Sequence, residues 1–334
     1  MPEPLLRVRD LVKHFPLPLT LVDALRRRPP DQVRAVDGVS FDLARGATLG
    51  LVGESGCGKS TLGRCLLRLY QPDGGAVWFG DVDLARLDER GLAPYRKRIQ
   101  VVLQDPYSSL DPRQRVGDAL TEVLAVHGIG SPADRPARVV GLLTQVGLSP
   151  LDAHKYPGEF SGGQRQRISI ARALAVGPEL LVADEPVSAL DVSIQAQILH
   201  LLLDLRASLG LTMIFISHDL RVVRYLSDEV AVMYLGKIVE QAPSAALFSR
   251  PLHPYTLALL SAIPEVDEQP RELIEIEGEP SSAVRIPRGC RFHPRCPWKV
   301  DRCLDEAPSL RELGPGHLVA CHEAERHAGA GAAT

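Results

Sequence analysis

Gly53-Glu54-Ser55-Gly56-Cys57-Gly58-Lys59-Ser60-Thr61 fits the phosphate-binding pattern G-x-x-x-x-G-K-[ST], and its flanks decide the fold. Before it, Thr48-Leu49-Gly50-Leu51-Val52 is an apolar run that reads as a buried strand. After it, Leu62-Gly63-Arg64-Cys65-Leu66-Leu67-Arg68-Leu69 reads as a helix. The pattern needs this strand–loop–helix order. Glycines let backbone N–H groups turn inward around a phosphate chain, and the helix adds its positive N-terminal end. Gly53, Ser55, Gly56 and Gly58 then form the cradle, Lys59 can reach the terminal phosphates, Ser60 can ligate Mg²⁺, and Thr61 completes the set. A glycine-rich turn that binds nothing has no need of that context.

At 334 residues the chain predicts two domains, by a prior of about 150 residues each. With 45% hydrophobic residues, 24% charged residues and a net charge of -3, its composition is that of a soluble globular protein and gives no bulk attraction to nucleic acid. No apolar run approaches the roughly 18 residues of a membrane span, and Met1-Pro2-Glu3-Pro4 does not open like a signal peptide, so a cytoplasmic chain is expected. Of six cysteines, Cys290, Cys296, Cys303 and Cys321 lie near the C-terminal end, which in a reducing compartment suggests metal more than disulfides.

Upstream of the phosphate loop, Leu6-Arg7-Val8-Arg9-Asp10-Leu11-Val12 alternates as an edge strand would, and Ala35-Val36-Asp37-Gly38-Val39-Ser40-Phe41-Asp42-Leu43 alternates again. Between them, Arg26-Arg27-Arg28-Pro29-Pro30 marks an exposed loop or short helix. Downstream, Ala76-Val77-Trp78-Phe79-Gly80 is a short strand, and Ile99-Gln100-Val101-Val102-Leu103 is a continuous run of the kind covered on both faces, ending at Gln104. Residues 115–147 switch to helical spacing. Val116, Leu120, Val123 and Leu124 share one face, and Val139, Val140, Leu142, Leu143 and Val146 another.

Phe160-Ser161-Gly162-Gly163-Gln164 opens a helix, with Ser161 and Gln164 spaced for a capping box. Leu180-Leu181-Val182-Ala183-Asp184-Glu185 sets two carboxylates at the end of a buried strand, where open α/β sheets bind ligands. In the same chain as a phosphate loop, Asp184 is placed to hold Mg²⁺ and Glu185 to act as general base on an attacking water. Ser188-Ala189-Leu190-Asp191 turns into a helix from 192 to 208, Thr212-Met213-Ile214-Phe215-Ile216 is one more buried strand, and residues 229–240 read as a hairpin. His218, just past the strand at 212–216, suits a γ-phosphate contact.

In this order the residues resemble the nucleotide-binding subunits of ABC transporters. The matching set is the phosphate loop at 53–61, Gln104 of the Q-loop, Ser161-Gly162-Gly163-Gln164 of the signature, Asp184-Glu185 of Walker B, residues 188–191 of the D-loop and His218 of the switch. Phe160 stands where the signature usually has Leu. Phe15 sits where the family has the aromatic that stacks on adenine, with His14 as competitor. Gln104-Asp105-Pro106-Tyr107-Ser108-Ser109-Leu110-Asp111-Pro112-Arg113 and His253-Pro254-Tyr255-Thr256-Leu257 look like the dipeptide/oligopeptide importer ATPases, and Val187-Ser188 with Met233-Tyr234-Leu235-Gly236 like their F-type subunit; nickel importers share much of this.

The resemblance implies an α/β fold: a RecA-like P-loop ATPase core with a β-strand subdomain, spanning 1–250, with a helical insertion at about 105–165 and a small Cys-containing extension at 251–334. It implies ATP hydrolysis with Mg²⁺ at Ser60, Gln104 and Asp184. It also implies head-to-tail pairing with a homologous D-type ATPase subunit as a heterodimer, in which Ser161, Gly162, Gly163, Gln164 and Asp191 face nucleotide. Two membrane permease subunits, resting near Gln104 and the helical insertion, and an extracytoplasmic substrate-binding protein complete the assembly, with this chain at the cytoplasmic face of the membrane and no nucleic-acid partner. A soluble ABC ATPase acting on DNA or ribosomes is the rival, against which stand the missing second cassette, coiled coil and basic run. A subunit that binds ATP without hydrolysing it is a second rival, and the intact Glu185 and His218 argue against it.

The spacing Cys290-x5-Cys296-x6-Cys303-x17-Cys321 is looser than paired C-x-x-C zinc ribbons and by itself favours no metal. The resemblance implies a [4Fe–4S] cluster, since some members of the family carry one in a similar tail and four thiolates suffice. Zinc and free or transiently oxidised thiols are the alternatives, with His293, His317 and His322 as substitute ligands. Cys57 and Cys65 read as loop and core residues.

Overall fold

The computed structural model describes residues 3–18, 30–105, 110–262, 274, 276, 278 and 281–327. Arg26 to Pro29 of the basic run and residues 106–109 after Gln104 lie outside the described residues. Contacts divide the chain into two compact units. One holds Met1–Glu3, Ala44–Ala47 and Leu87–Ile216, and the other Pro4–Leu43, Thr48–Arg86 and Ser217–Thr334.

Among the described residues the strands are β1 (Pro4–Pro16), β2 (Gln32–Ala44), β3 (Thr48–Val52), β4 (Gly74–Phe79), β5 (Val82–Asp83), β6 (Ile99–Val102), β7 (Leu180–Asp184), β8 (Thr212–Ile216), β9 (Glu229–Tyr234), β10 (Lys237–Pro243), β11 (Arg311–Gly314) and β12 (His317–Val319). The helices that matter for the site are α1 (Lys59–Leu66), α2 (Val116–Val126), α3 (Arg135–Gln145), α4 (Gly162–Leu174), α5 (Val192–Leu209), α6 (Leu220–Leu226) and α7 (Pro254–Ser261).

In the unit built on Leu87–Ile216, β6, β7 and β8 are parallel, in register from Ile99 opposite Leu180 to Asp184 opposite Ile216. Every residue of β7 and β8 is buried, which explains apolar runs without alternation. β6 departs from the two-face expectation. It lies at the edge of the three, and Gln100 and Val101 are only half-buried. The helical spacing at 115–147 becomes α2 and α3, which pack on one another, with α3 also against α4. Val116, Leu120, Leu124, Val139, Leu143 and Val146 are buried as their spacing requires, whereas Val140 turns outward at 41% exposure. Val140 and Leu143 are three residues apart, but Val140 follows Val139 by one position and so points about 100° away from it.

In the other unit, one sheet runs β2-β1-β4-β5, so β1 is an interior strand and not an edge. Its alternation reports a buried face, carried by Leu6 and Val8, and says nothing about lateral position. The phosphate-loop strand β3 pairs in parallel with β9 from Leu49 opposite Glu229 to Val52 opposite Val232. β9 and β10 form the expected hairpin, turning at Leu235 and Gly236, which both have positive φ. β10 then pairs with β12, and β12 with β11, so the C-terminal extension continues the sheet that carries the phosphate loop. A fully buried carboxylate fastens this junction. Glu240 accepts from the N–H groups of Leu252 (2.7 Å) and His253 (3.0 Å) and lies 2.7 Å from His317 Nε2. A buried polar group of this kind is tolerated because it is hydrogen-bonded.

Candidate nucleotide site

Beyond Val52 the chain leaves β3 through a loop in which Gly53 and Gly58 leave no room for a side chain. A Cβ on Gly53 would lie 2.2 Å from the Met233 carbonyl oxygen, and one on Gly58 would lie 1.9 Å from the Ala35 carbonyl oxygen. Gly56 has open space around it but a φ of +79°, which favours glycine for conformational reasons. Lys59 is 4% exposed, and its Nζ donates to the carbonyls of Gly53 (2.7 Å) and Glu54 (3.0 Å). α1 begins at Lys59 with no side chain capping its first turn. A buried ammonium, inward-turning backbone and an uncapped helix N-terminus form a donor set that fits a phosphate chain. Cys57 is buried in the loop and Cys65 in the core, where burial pushes the Cys65 thiol up to about 11.

The loop's second residue is held from outside. Glu54 N–H donates to the Tyr255 hydroxyl (2.8 Å) at the start of α7, and the Glu54 carboxylate accepts from Arg295 Nη1 (2.9 Å) and Nη2 (3.1 Å). Burial pushes the Tyr255 hydroxyl far above its ordinary range, so it stays a neutral acceptor. Close by, Asp37 pairs with His14 (2.9 Å) and Arg291. Burial opposes ionisation of Asp37, yet the hydrogen bonds from Arg291 and His14 prevail and hold its carboxyl below the usual range. His14 is thereby engaged. Phe15 is half-buried, edge-on to Tyr70 (centroids 5.3 Å apart, 77° between planes), with Lys13 Nζ 5.3 Å from its ring centre. In the same unit, Ser217 N–H donates to Leu51 O (3.1 Å), which sets exposed His218 beside the end of β3. Asp219 then caps α6 through the Arg221 N–H (2.9 Å).

The remaining site residues belong to the other unit. Asp184 closes β7 at 7% exposure, and Glu185 follows with φ +48°, its N–H donating to Ile216 O (3.0 Å). A left-handed non-glycine residue at a strand end is a strained feature of the kind that clusters at functional sites. Ser188 Oγ donates to Glu185 O (3.1 Å), and Gln195 Nε2 braces the turn through Val187 O (3.0 Å) and Leu190 O (2.9 Å). The capping box is formed: Gln164 N–H donates to Ser161 Oγ (3.3 Å), and Ser161 N–H to Gln164 Oε1 (3.0 Å). Gly162 and Gly163 seat α4 on that same turn. A Cβ on Gly162 would be 3.3 Å from Leu190 Cδ2, and one on Gly163 only 2.4 Å from Ile194 Cγ2. Asp191 is exposed, its carbonyl accepting from Ile194 and Gln195 as α5 begins, and Gln104 is exposed beyond β6.

The cysteine expectation is corrected. Cys290, Cys296, Cys303 and Cys321 do line one cavity, with His293 and His322, but its volume is about 10 Å³, room for about one water molecule. Among the described residues no group of three or more His, Cys, Asp or Glu side chains could hold a metal ion, which removes the [4Fe–4S] cluster and zinc alike. Burial pushes the Cys296 thiol up to about 11 and the Cys321 thiol to about 12, and Cys321 packs with Leu252, Val319 and Ala324 as a core residue.

Tyr255, Arg295, Asp37 and Arg291 were not singled out as site residues by sequence. Tyr255 and Arg295 reach Glu54 across 201 and 241 residues, and Arg291 reaches Asp37 across 254, separations that leave no local periodicity or spacing to read.

Comparison with known proteins agrees with this geometry. The ABC transporter family matches residues 36–188, and the oligopeptide/dipeptide transporter C-terminal region matches residues 239–303. The chain is 49% identical over 324 residues to the oligopeptide transport ATP-binding protein AppF of Bacillus subtilis (strain 168), covering 96% of this chain and 97% of that protein. It is 51% identical over 323 residues to the probable peptide ABC transporter ATP-binding protein y4tS of Sinorhizobium fredii (strain NBRC 101917 / NGR234), covering 96% and 90%. Among solved structures, the dimeric post-hydrolysis state of the ATP-binding cassette MJ0796 bound to ADP and Pi is similar with a TM-score of 0.63 and 26% identity, over 72% of this chain and 98% of that one. The chain therefore belongs to the ATP-binding subunits of ABC transporters, a family of ATPases, in the group that carries the oligopeptide/dipeptide transporter C-terminal region.

Proposed function

We propose that this chain is the ATP-hydrolysing subunit of an importer of di- or oligopeptides. The observation that carries the reading is similarity along nearly the whole chain, 96% of it at 49% identity, to a protein named for oligopeptide transport. The C-terminal region matched at 239–303 adds weight, since that region's description names the same cargo.

The residue roles follow from chemistry. Lys59 neutralises the terminal phosphates, and the N–H groups of residues 53–61 hold the chain in place. Phe15 offers a ring to adenine. Ser60, Gln104 and Asp184 are the residues that would hold Mg²⁺, which would supply neutralisation of phosphate charge. Glu185 takes the proton of the attacking water, and His218 holds the γ-phosphate side of the site by hydrogen bonding. Ser161, Gly162, Gly163, Gln164 and Asp191 serve the nucleotide of a second, homologous D-type ATPase subunit arranged head to tail, with the N-terminus of α4 directed at its phosphates. Two permease subunits and an extracytoplasmic binding protein complete the complex, with this chain at the cytoplasmic face of the membrane. No helix of the described residues is long and apolar enough to cross a membrane, in keeping with a peripheral subunit.

The test is reconstitution of the chain with its homologous ATPase partner, permease subunits and binding protein in vesicles. ATP hydrolysis should rise when a short peptide is added outside and fall to background without the permeases. Stimulation by nickel salts and not by peptides would overturn the cargo assignment.

A further inference from the structure

A basic cavity, lined by no residue of the phosphate loop itself, lies within the unit that contains the C-terminal extension. Its volume is about 650 Å³, within the range of small-molecule sites. β2 contributes Arg34, β10 begins the wall with Lys237, and the segment after Ala283 contributes Arg285 and Arg288. None of these four has a carboxylate partner among the described residues. A fifth cation, Arg291, is spent on Asp37 and the Leu235 carbonyl. The one acid on the wall, Asp10, accepts at its carboxylate from the Ser40 hydroxyl (3.3 Å). Between the cations the lining is apolar, with Ile238, Val284, Ile286 and Leu310. Like charges around one cavity repel, and an anion relieves that repulsion while an apolar body fills the rest.

The same wall touches the phosphate loop through backbone. Ala35, next to Arg34, has the carbonyl that leaves no room for a Cβ on Gly58. Gly236, next to Lys237, donates its N–H to Cys57 O (2.8 Å) and accepts from Asp37 N–H (2.9 Å). Arg34 N–H donates to Ala283 O (3.1 Å), which ties the Arg285–Arg288 segment to β2. Arg34 and Lys237 are thus each one residue from a backbone contact with the loop.

We propose that this cavity binds a small organic anion, a carboxylate or phosphate on an apolar body, and that its occupancy changes the affinity of the phosphate loop for ATP. The second half rests on the reading that residues 53–61 bind ATP. Coupling of this kind is reciprocal, so either ligand reports on the other.

The experiment uses the full chain and 8-anilinonaphthalene-1-sulfonate, a fluorescent anion on an apolar body. The probe should bind at one saturable site and be displaced by octanoate, by octyl phosphate or by both, which distinguishes the carboxylate from the phosphate source. Replacing Arg285→Ser and Arg288→Ser together, both exposed residues, should weaken probe binding roughly 10-fold or more, the loss expected when charge-assisted contacts are removed. Lys237→Ala, also exposed, should weaken it in the same direction and covers the case in which the double variant misfolds. Equal probe affinity in wild type and these variants, or no displacement by either anion, overturns the site. Titration of a fluorescent N-methylanthraniloyl ATP with and without saturating octanoate or octyl phosphate tests the coupling. A shift of about 3-fold or more, absent from the Arg285→Ser, Arg288→Ser variant, is expected. An unchanged nucleotide affinity overturns the coupling, whereas no nucleotide binding at all would overturn the ATP reading and leave probe binding to decide the anion site separately.

Discussion

Arg295 grips Glu54 with both terminal nitrogens, at 2.9 and 3.1 Å, across 241 residues of chain. Glu54 is the second residue of the phosphate loop, and its N–H is held at 2.8 Å by the Tyr255 hydroxyl. One loop residue is thus fixed through side chain and backbone by two residues of the C-terminal extension. A loop whose N–H groups must point inward has few regular hydrogen bonds of its own, so such outside fixation reduces the ordering left to be done when phosphate binds.

Arg295→Ala should therefore cost both stability and nucleotide affinity. The Arg295 side chain is 8% exposed and that of Glu54 is 26% exposed, so the pair is partly screened, and the loss is about 2 kcal/mol in urea unfolding. Affinity for N-methylanthraniloyl ATP should fall by roughly 10-fold, about 1.4 kcal/mol. Arg295→Lys should recover only part of either, because a point charge cannot make the two-pronged contact. A destabilised variant with wild-type nucleotide affinity would reduce Arg295 to a fastening of the extension alone.

Gly163→Ala tests how tightly α4 sits on the turn before α5. The added methyl would stand 2.4 Å from Ile194 Cγ2, which is attached to a stiff β-branched side chain. Overpacking of this kind costs about 1–3 kcal/mol. Thermal unfolding should show the loss, and Ile194→Ala in the same chain should return much of it, since it removes the obstructing atom. Equal losses in the single and double variants would mean that the clash is not the cause.

The phosphate loop, the capping box at Ser161 and the acidic strand end at Asp184 were legible because each is local. A few consecutive residues carry both the conformational demand and the chemistry, and the strand or helix beside them announces itself by periodicity. What sequence could not give is lateral. Alternation in β1 shows one buried face but not whether neighbours lie on one side or both, so an interior strand was read as an edge. The C-terminal cysteines were read for their thiols, whereas burial makes at least Cys321 an ordinary core residue. The fastening of Glu54 depends on two residues more than 200 positions away, and only the folded chain brings them to it.

Glu179 predicts an acid-sensitive joint in the unit that carries Asp184 and Glu185. Its carboxylate accepts from Arg98 and, at 2.7 Å, from Arg45; the Arg98 hydrogen bond is the larger cause holding its carboxyl below the ordinary value. A folded-state pKa below the unfolded one stabilises at neutral pH, and that contribution is lost as pH falls through the lowered value. Glu179→Gln should therefore be less stable than wild type at pH 7, with the gap closing in the acid range below the ordinary carboxylate value. A gap of constant size from pH 7 to pH 3 would exclude ionisation as its origin.

Glu185→Gln separates binding from chemistry. The side chain keeps its length and the backbone its φ of +48°, with the N–H still available to Ile216 O at 3.0 Å, so the strand end should keep its shape. Only the proton acceptor is lost. General-base catalysis contributes roughly 10²–10⁴ in rate, and turnover by the assembled transporter should fall by that factor while nucleotide affinity stays near wild type. Lys59→Ala is the counterpart. It removes the ammonium that lies 2.7 Å from Gly53 O at the centre of the loop, and so should weaken both affinity and turnover, the latter by roughly 100-fold or more. Paired titrations and ATPase rates on the two variants decide the assignment. If Glu185→Gln turned over ATP at close to the wild-type rate, the base would have to be sought on another residue; if it lost nucleotide binding as Lys59→Ala does, Glu185 would be acting through the shape of the site and not through its proton.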